Sequence, residues 1–112
     1  MNKEFLIVKN MKLFILSLED IILIIPNRDR ILKDRLYNTS YDILYNLYKC
    51  NYSKDKVLYY DILSSINTLD FYLEVCLKKK YITSKMCEKK SNELLKITKM
   101  VYGWIKYESK CL

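Results

Sequence analysis

One glycine and one proline are the only residues of those types in this chain of 112 residues. A chain so poor in turn-forming residues cannot build the many punctuated strands of a β-sandwich or barrel. It carries instead apolar residues at steps of three and four, the period of a helix that buries one face. Leu32, Leu36, Ile43, Leu47 and Cys50 form one such stripe, with the small Thr39 placed on the same face. Leu58, Ile62, Ile66, Leu69, Leu73 and Cys76 form a second, and Cys87, Leu94, Ile97, Val101 and Ile105 a third. Ahead of them, Leu13 to Ile25 is almost continuously apolar but is interrupted by Glu19 and Asp20. That run is too short and too charged to span a bilayer, so it reads as a core helix. Lys3, Lys9 and Lys12 mimic the start of a signal peptide, yet no small-residue cleavage site follows, and a cytoplasmic protein is expected.

Four helices follow from these stripes and the signals between them. The first runs from about Glu4 to Ile24 and stops before Pro26, because a residue preceding proline is pushed out of the α region. Asn27 is the expected N-cap of the second helix, which runs to about Cys50. Ser53 is the expected cap of the third, which ends in Lys78-Lys79-Lys80, where cations suit a helix C-terminus. Thr83 or Ser84 caps the fourth, which runs to about Ser109. Short loops between long amphipathic helices make neighbours antiparallel. The expected fold is all-α: an up-down-up-down four-helix bundle, with residues 1–112 as a single domain.

Catalysis finds little support in this composition. Histidine, the commonest general base and metal ligand, is absent. No phosphate-binding glycine loop, nucleophile elbow or zinc-protease motif occurs. Cys50, Cys76 and Cys87 sit at apolar stripe positions and no Cys-x-x-Cys pair exists; they read as small buried hydrophobes in a reducing compartment, while Cys111 lies near the chain end. Asp29 with Lys33, Arg30 with Asp34, and Glu93 beside Lys89 and Lys90 have the spacing of helix-surface ion pairs. A non-enzyme with no metal or cofactor is the expectation.

Charge is the informative feature. Residues 1–77 carry ten Lys or Arg and ten Asp or Glu, whereas residues 78–112 carry ten Lys against Glu88, Glu93 and Glu108. The net charge of +7 therefore resides in the last third of the chain. Lysine abundance alone is weak evidence, since the chain also favours Tyr and Ile and lacks Ala, as an AT-rich coding sequence would dictate. Position is better evidence. At about 100° per residue, Lys85, Lys89, Lys96, Lys99, Lys106 and Lys110 fall within an arc of roughly 100°, opposite the apolar stripe. Such a face offers phosphate contacts to a polyanion.

Three further features stand out. Arg28, Arg30 and Arg35 are the chain's only arginines and cluster around the start of the second helix; they are candidate phosphate ligands or partners of Asp29 and Asp34. Tyr37, Tyr41, Tyr45, Tyr48 and Tyr52 form a ridge along that helix, suited to packing and, as a second reading, to stacking on bases. Gly103, inside the fourth helix, and the adjacent Trp104 predict a tight contact of that helix at a subunit interface.

The segment Ile97-Thr98-Lys99-Met100-Val101-Tyr102-Gly103-Trp104-Ile105-Lys106 resembles the end of the last helix in a family of small bacterial four-helix-bundle proteins. These are the accessory variability determinants of diversity-generating retroelements, relatives of proteins encoded in intervening sequences of 23S ribosomal RNA genes. Ile25-Pro26 followed by Arg28-Asp29-Arg30, Asn51-Tyr52, and Tyr81-Ile82-Thr83 agree in order and spacing. The resemblance implies a five-fold barrel of basic protomers, a reverse transcriptase partner, binding of template RNA or cDNA, and no enzymatic activity. The intervening-sequence branch has a Ser-, Pro- and Gly-bearing stretch where this chain reads Asn38-Thr39-Ser40-Tyr41-Asp42, which favours the retroelement branch. The family's usual Gly-Gly-Trp is Tyr102-Gly103-Trp104 here. Glu74 stands where a basic residue is common, which shifts the expected nucleic-acid surface to the fourth helix. The alternative reading is a structural oligomeric scaffold, or an intervening-sequence-type protein, that binds a protein partner without touching nucleic acid.

Overall fold

A computed structural model of the protein describes the backbone of residues 3–53 and 55–111 and the side chains of residues 6–53 and 55–107. Four helices account for nearly all of it: α1 (Lys3–Ile24), α2 (Arg30–Ser53), α3 (Lys56–Lys78) and α4 (Ser84–Cys111). Each helix packs on its neighbours in the chain, and α4 closes the ring on α1. α1 and α3 therefore occupy one diagonal and α2 and α4 the other. The expected four-helix bundle is the observed one, drawn out to 48 × 23 × 21 Å along its helices.

The stripes meet along the bundle axis. Ile7, Met11 and Leu18 of α1, Leu36, Ile43 and Leu47 of α2, Ile62, Leu69 and Leu73 of α3, and Leu94 and Val101 of α4 are all buried. Each such side chain contributes about 1.5–3 kcal/mol through removal from water. On α2 the small residue facing the core is Ser40 rather than Thr39, and its hydroxyl is satisfied by donating to the Tyr37 carbonyl at 2.9 Å. Trp104 differs most from expectation. It is fully buried, with its ring edge-on to Tyr59 at 5.0 Å between centroids. The indole swings inward from the border of the lysine arc and fills the core, so it has no surface to offer a neighbouring subunit. α4 passes through Gly103 without a break, and Gly103 is half-buried.

The connections correct two caps. Asp29, not Asn27, starts α2. A turn closes with the Asp29 amide donating to the Pro26 carbonyl at 2.9 Å, and Asp29 Oδ1 accepts from the Leu32 amide at 3.4 Å. Asp55, not Ser53, caps α3, its carboxylate accepting from the Val57 amide at 2.9 Å. Ser53 instead closes α2, its hydroxyl accepting from the Asp55 amide. Between the two expected caps of α4, Thr83 does the capping, its hydroxyl accepting from the Met86 amide at 3.1 Å. α3 ends in a Schellman motif: Tyr81 N–H donates to the Cys76 carbonyl and Lys80 N–H to the Leu77 carbonyl. That geometry places Lys80 at φ 64°, a left-handed conformation normally left to glycine.

Candidate nucleic-acid interface

α4 carries its lysines outward. Lys85, Lys89, Lys96, Lys99 and Lys106 are all exposed, and none belongs to an ion pair among the described residues. The side chain of Lys110 lies outside the described residues. From Lys85 to Lys106 the row spans about 32 Å at 1.5 Å per residue, close to one turn of a nucleic-acid duplex. Toward α1, Lys96 borders a cleft with Asn10, Leu13, Phe14 and Ser17. Toward α3, Ser91 donates to Asp70 Oδ1 at 2.7 Å, which fixes the roll of α4 on its neighbour.

Lys90 shows what separates this face from the rest of the helix. It is next to Lys89 in sequence but buried, because one residue step turns it toward α1. There its ammonium donates to the Ser17 hydroxyl, pairs with Glu93 at 3.0 Å, and lies over the Phe14 ring at 5.7 Å from the centroid. Glu93 is thus consumed by a structural lysine, and the expected pairing beside Lys89 and Lys90 resolves to Lys90.

The other two expected ion pairs do not form. Lys33 donates to Asn27 Oδ1 at 2.8 Å, while Asp29 Oδ2 accepts from Lys79 Nζ and from the Tyr81 hydroxyl, both at 2.9 Å. Asp29 reaches across to the α3–α4 turn because capping α2 aims its carboxylate off the end of the helix, away from Lys33. The Lys79 contact, then the Tyr81 contact, hold the Asp29 carboxyl below its ordinary range; the same carboxylate raises the Lys79 ammonium and the Tyr81 phenol above theirs. Arg30 and Asp34 make no ion pair among the described residues.

Arg28, Arg30 and Arg35 are accordingly exposed and unpaired among the described residues. They do not join the lysine row directly, since α2 and α4 are diagonal. Arg28 and Arg30 lie at the bundle end that also holds Lys78, Lys79, Lys80 and Lys85, all exposed. Folding thus makes a basic end that runs from the arginines through the Lys78–Lys80 turn to the start of the lysine row. Sequence reasoning missed this link, having assigned those three lysines to the α3 terminus alone.

The tyrosine ridge is graded. Tyr37 and Tyr48 are half-buried, with Lys12 Nζ lying 5.6 Å from the Tyr48 centroid; Tyr41, Tyr45 and Tyr52 are exposed. Tyr37 and Tyr41 stack at 6.4 Å. Tyr45, Tyr48, Lys49, Tyr52 and Ser53 line a shallow groove. Cys50, Cys76 and Cys87 are buried, and burial pushes the Cys76 thiol up to about 11 and raises Cys87. Among the described residues no group of three His, Cys, Asp or Glu is placed to hold a metal ion, and no helix is long and apolar enough to cross a membrane.

No protein-family model and no curated protein matches the chain. Among solved structures, a protein of unknown function from the S23 ribosomal protein family of Bacteroides thetaiotaomicron shares the fold. The TM-score is 0.82 over 94% of this chain and 99% of that one, at 16% sequence identity.

Proposed function

We propose that this protein is a non-catalytic, homo-oligomeric accessory protein that binds nucleic acid through the outer face of α4 and assists a reverse transcriptase of a diversity-generating retroelement. The observation that carries the reading is the row of five exposed lysines, Lys85 to Lys106, free of ion pairs among the described residues. They are not tied up in ion pairs among the described residues, so a phosphate chain that displaces counterions along the row gains affinity. Arg28 and Arg30 extend the surface at one end, where bidentate phosphate contacts suit guanidinium groups, and Arg35 is a further candidate along α2. Binding of this kind follows backbone geometry rather than base sequence. Three buried thiols fit a reducing, cytoplasmic setting. The retroelement assignment, template RNA or cDNA as ligand, and the reverse transcriptase partner rest on the sequence resemblance.

The test is the affinity of the protein for single-stranded RNA, single-stranded DNA and an RNA–DNA hybrid, with and without Lys89→Glu, Lys96→Glu and Lys99→Glu together. A folded triple variant that loses at least about tenfold in affinity supports the reading. Equal affinity in the folded variant excludes this face.

The second reading, an oligomeric scaffold or 23S rRNA intervening-sequence-type protein that recruits a protein partner, is favoured by a separate observation: exposed leucines along α1. Tight binding to a reverse transcriptase without any nucleic-acid shift selects it.

A further inference from the structure

Two exposed tyrosines outside the α2 ridge border the lysine row: Tyr102 of α4, 58% exposed, and Tyr60 of α3, 65% exposed. The fold brings them to one groove. Asn67 of α3 and Leu95 of α4 line the cleft between these helices. Tyr60 precedes Asn67 by seven residues and Tyr102 follows Leu95 by seven. A step of seven returns to within about 20° of the same helical line, so the two rings stand on opposite walls of the α3–α4 groove. They are also level. Ser91 meets Asp70, and Trp104 meets Tyr59 edge-on. Continued along the antiparallel helices, the first contact sets residue 101 opposite Tyr60 and the second sets residue 103 there; Tyr102 lies between.

Lysines flank both rings. Lys56 is four residues before Tyr60, Lys99 is three before Tyr102 and Lys106 is four after it, the spacings of neighbours on one helix face. All three are exposed and none belongs to an ion pair among the described residues. Asp70, the carboxylate on the same side of α3, lies ten residues further on, about 15 Å away, and accepts from Ser91. Exposed rings set among ammonium groups fit one class of ligand, a polynucleotide strand with unpaired bases. Bases stack on the rings while the phosphates between them meet the lysines. A duplex keeps its bases in its own stack and reaches the lysines only. An apolar protein surface would cover the rings but would bury the lysines without partners.

We propose that the groove between Tyr60 and Tyr102, flanked by Lys56, Lys99 and Lys106, stacks the bases of a single nucleic-acid strand. This rests on the nucleic-acid reading and adds a contact that a duplex cannot make. The phosphate contacts of the row serve strand and duplex alike. Because every base has a face to stack, the groove imposes little sequence preference.

The test is the affinity of the full chain for an oligodeoxythymidylate strand and for the same strand paired with oligodeoxyadenylate. Circular dichroism checks folding and sedimentation checks assembly. Tyr60→Ala with Tyr102→Ala is expected to weaken strand binding by about tenfold or more and to leave duplex binding within about twofold. Tyr60→Phe with Tyr102→Phe keeps both rings and is expected to bind the strand as the wild type does. The salt dependence of strand binding should be the same in all three proteins, since no phosphate contact is removed. Unchanged strand affinity in the folded alanine variant overturns the proposal while sparing the nucleic-acid reading. So does an equal loss on duplex, a loss shared by the phenylalanine variant, or an altered assembly mass with affinity intact, which would place the rings in a protein contact. A wild type that binds neither ligand defeats the nucleic-acid reading and this proposal with it.

Discussion

The outer faces of α1 and α4 lie on neighbouring helices of one bundle, yet one is leucine and the other lysine. On α4 the apolar stripe and the charged stripe occupy opposite sides, so Lys85, Lys89, Lys96, Lys99 and Lys106 point to water while Leu94 and Val101 point inward. On α1 both sides are apolar, and the inner residues Ile7, Met11 and Leu18 are set off from the outer Leu13, Leu16 and Leu23 only by their packing. A helix with apolar residues on its outward side as well as its inward one has more apolar surface than its own bundle covers. The two faces therefore invite different partners: a polyanion for α4, an apolar surface for α1.

Where the faces adjoin, Lys90 of α4 crosses to Ser17 and Phe14 of α1, and Trp104 fills the core beneath. The largest effect is expected from Trp104→Ala, which leaves a cavity against Tyr59 and should destabilise the bundle by about 3–5 kcal/mol in chemical denaturation. An altered assembly mass with unchanged protomer stability would return Trp104 to the interface. Next, Lys90→Ala should lower stability by about 1–2 kcal/mol through loss of its hydrogen bonds and packing, while sparing nucleic-acid affinity. Lys89→Ala should do the reverse. This adjacent pair separates structural from ligand-binding lysine within one helical turn.

Smaller effects belong to the end that ties the two loops. Lys80→Gly removes the left-handed strain of the Schellman motif and should stabilise the protein by about 1 kcal/mol without moving either face. The Asp29 carboxyl is held below its usual value, so its stabilisation is present above that value and is lost as pH falls through the lowered one. Lys79 is raised, so its share is present below the ordinary lysine value and is lost as pH rises through the raised one. Asp29→Asn should flatten the acid limb of a melting-temperature profile measured against pH.

Much of this was legible in the sequence. The three stripes and the lysine arc depend on local periodicity, which contrast between apolar and charged positions makes readable, and the stop at Pro26 on a single residue. α1 lacks that contrast, so the sequence marked a core helix without marking its exposed side. Asp29 was paired with Lys33, four residues on, but the observed partner is Lys79, fifty residues on. A cap that aims a carboxylate off the helix end favours such a tertiary partner. Trp104 lay on the border between two faces, where the size of the indole and the position of Tyr59 decide the direction. The basic end that joins Arg28 to Lys80 exists only once the α1–α2 and α3–α4 turns are brought together.

The central claim is that the α4 lysines bind a phosphate backbone, and the salt dependence of RNA binding tests it most directly. If all five described lysines of the row engage single-stranded RNA, log K against log salt should have a slope of about −3.5, since each neutralised phosphate contributes about −0.7. Charge reversal at Lys89, Lys96 and Lys99 should bring that slope to about −1.4 or shallower. A slope near zero in the wild type, or an unchanged slope in the folded triple variant, contradicts the account.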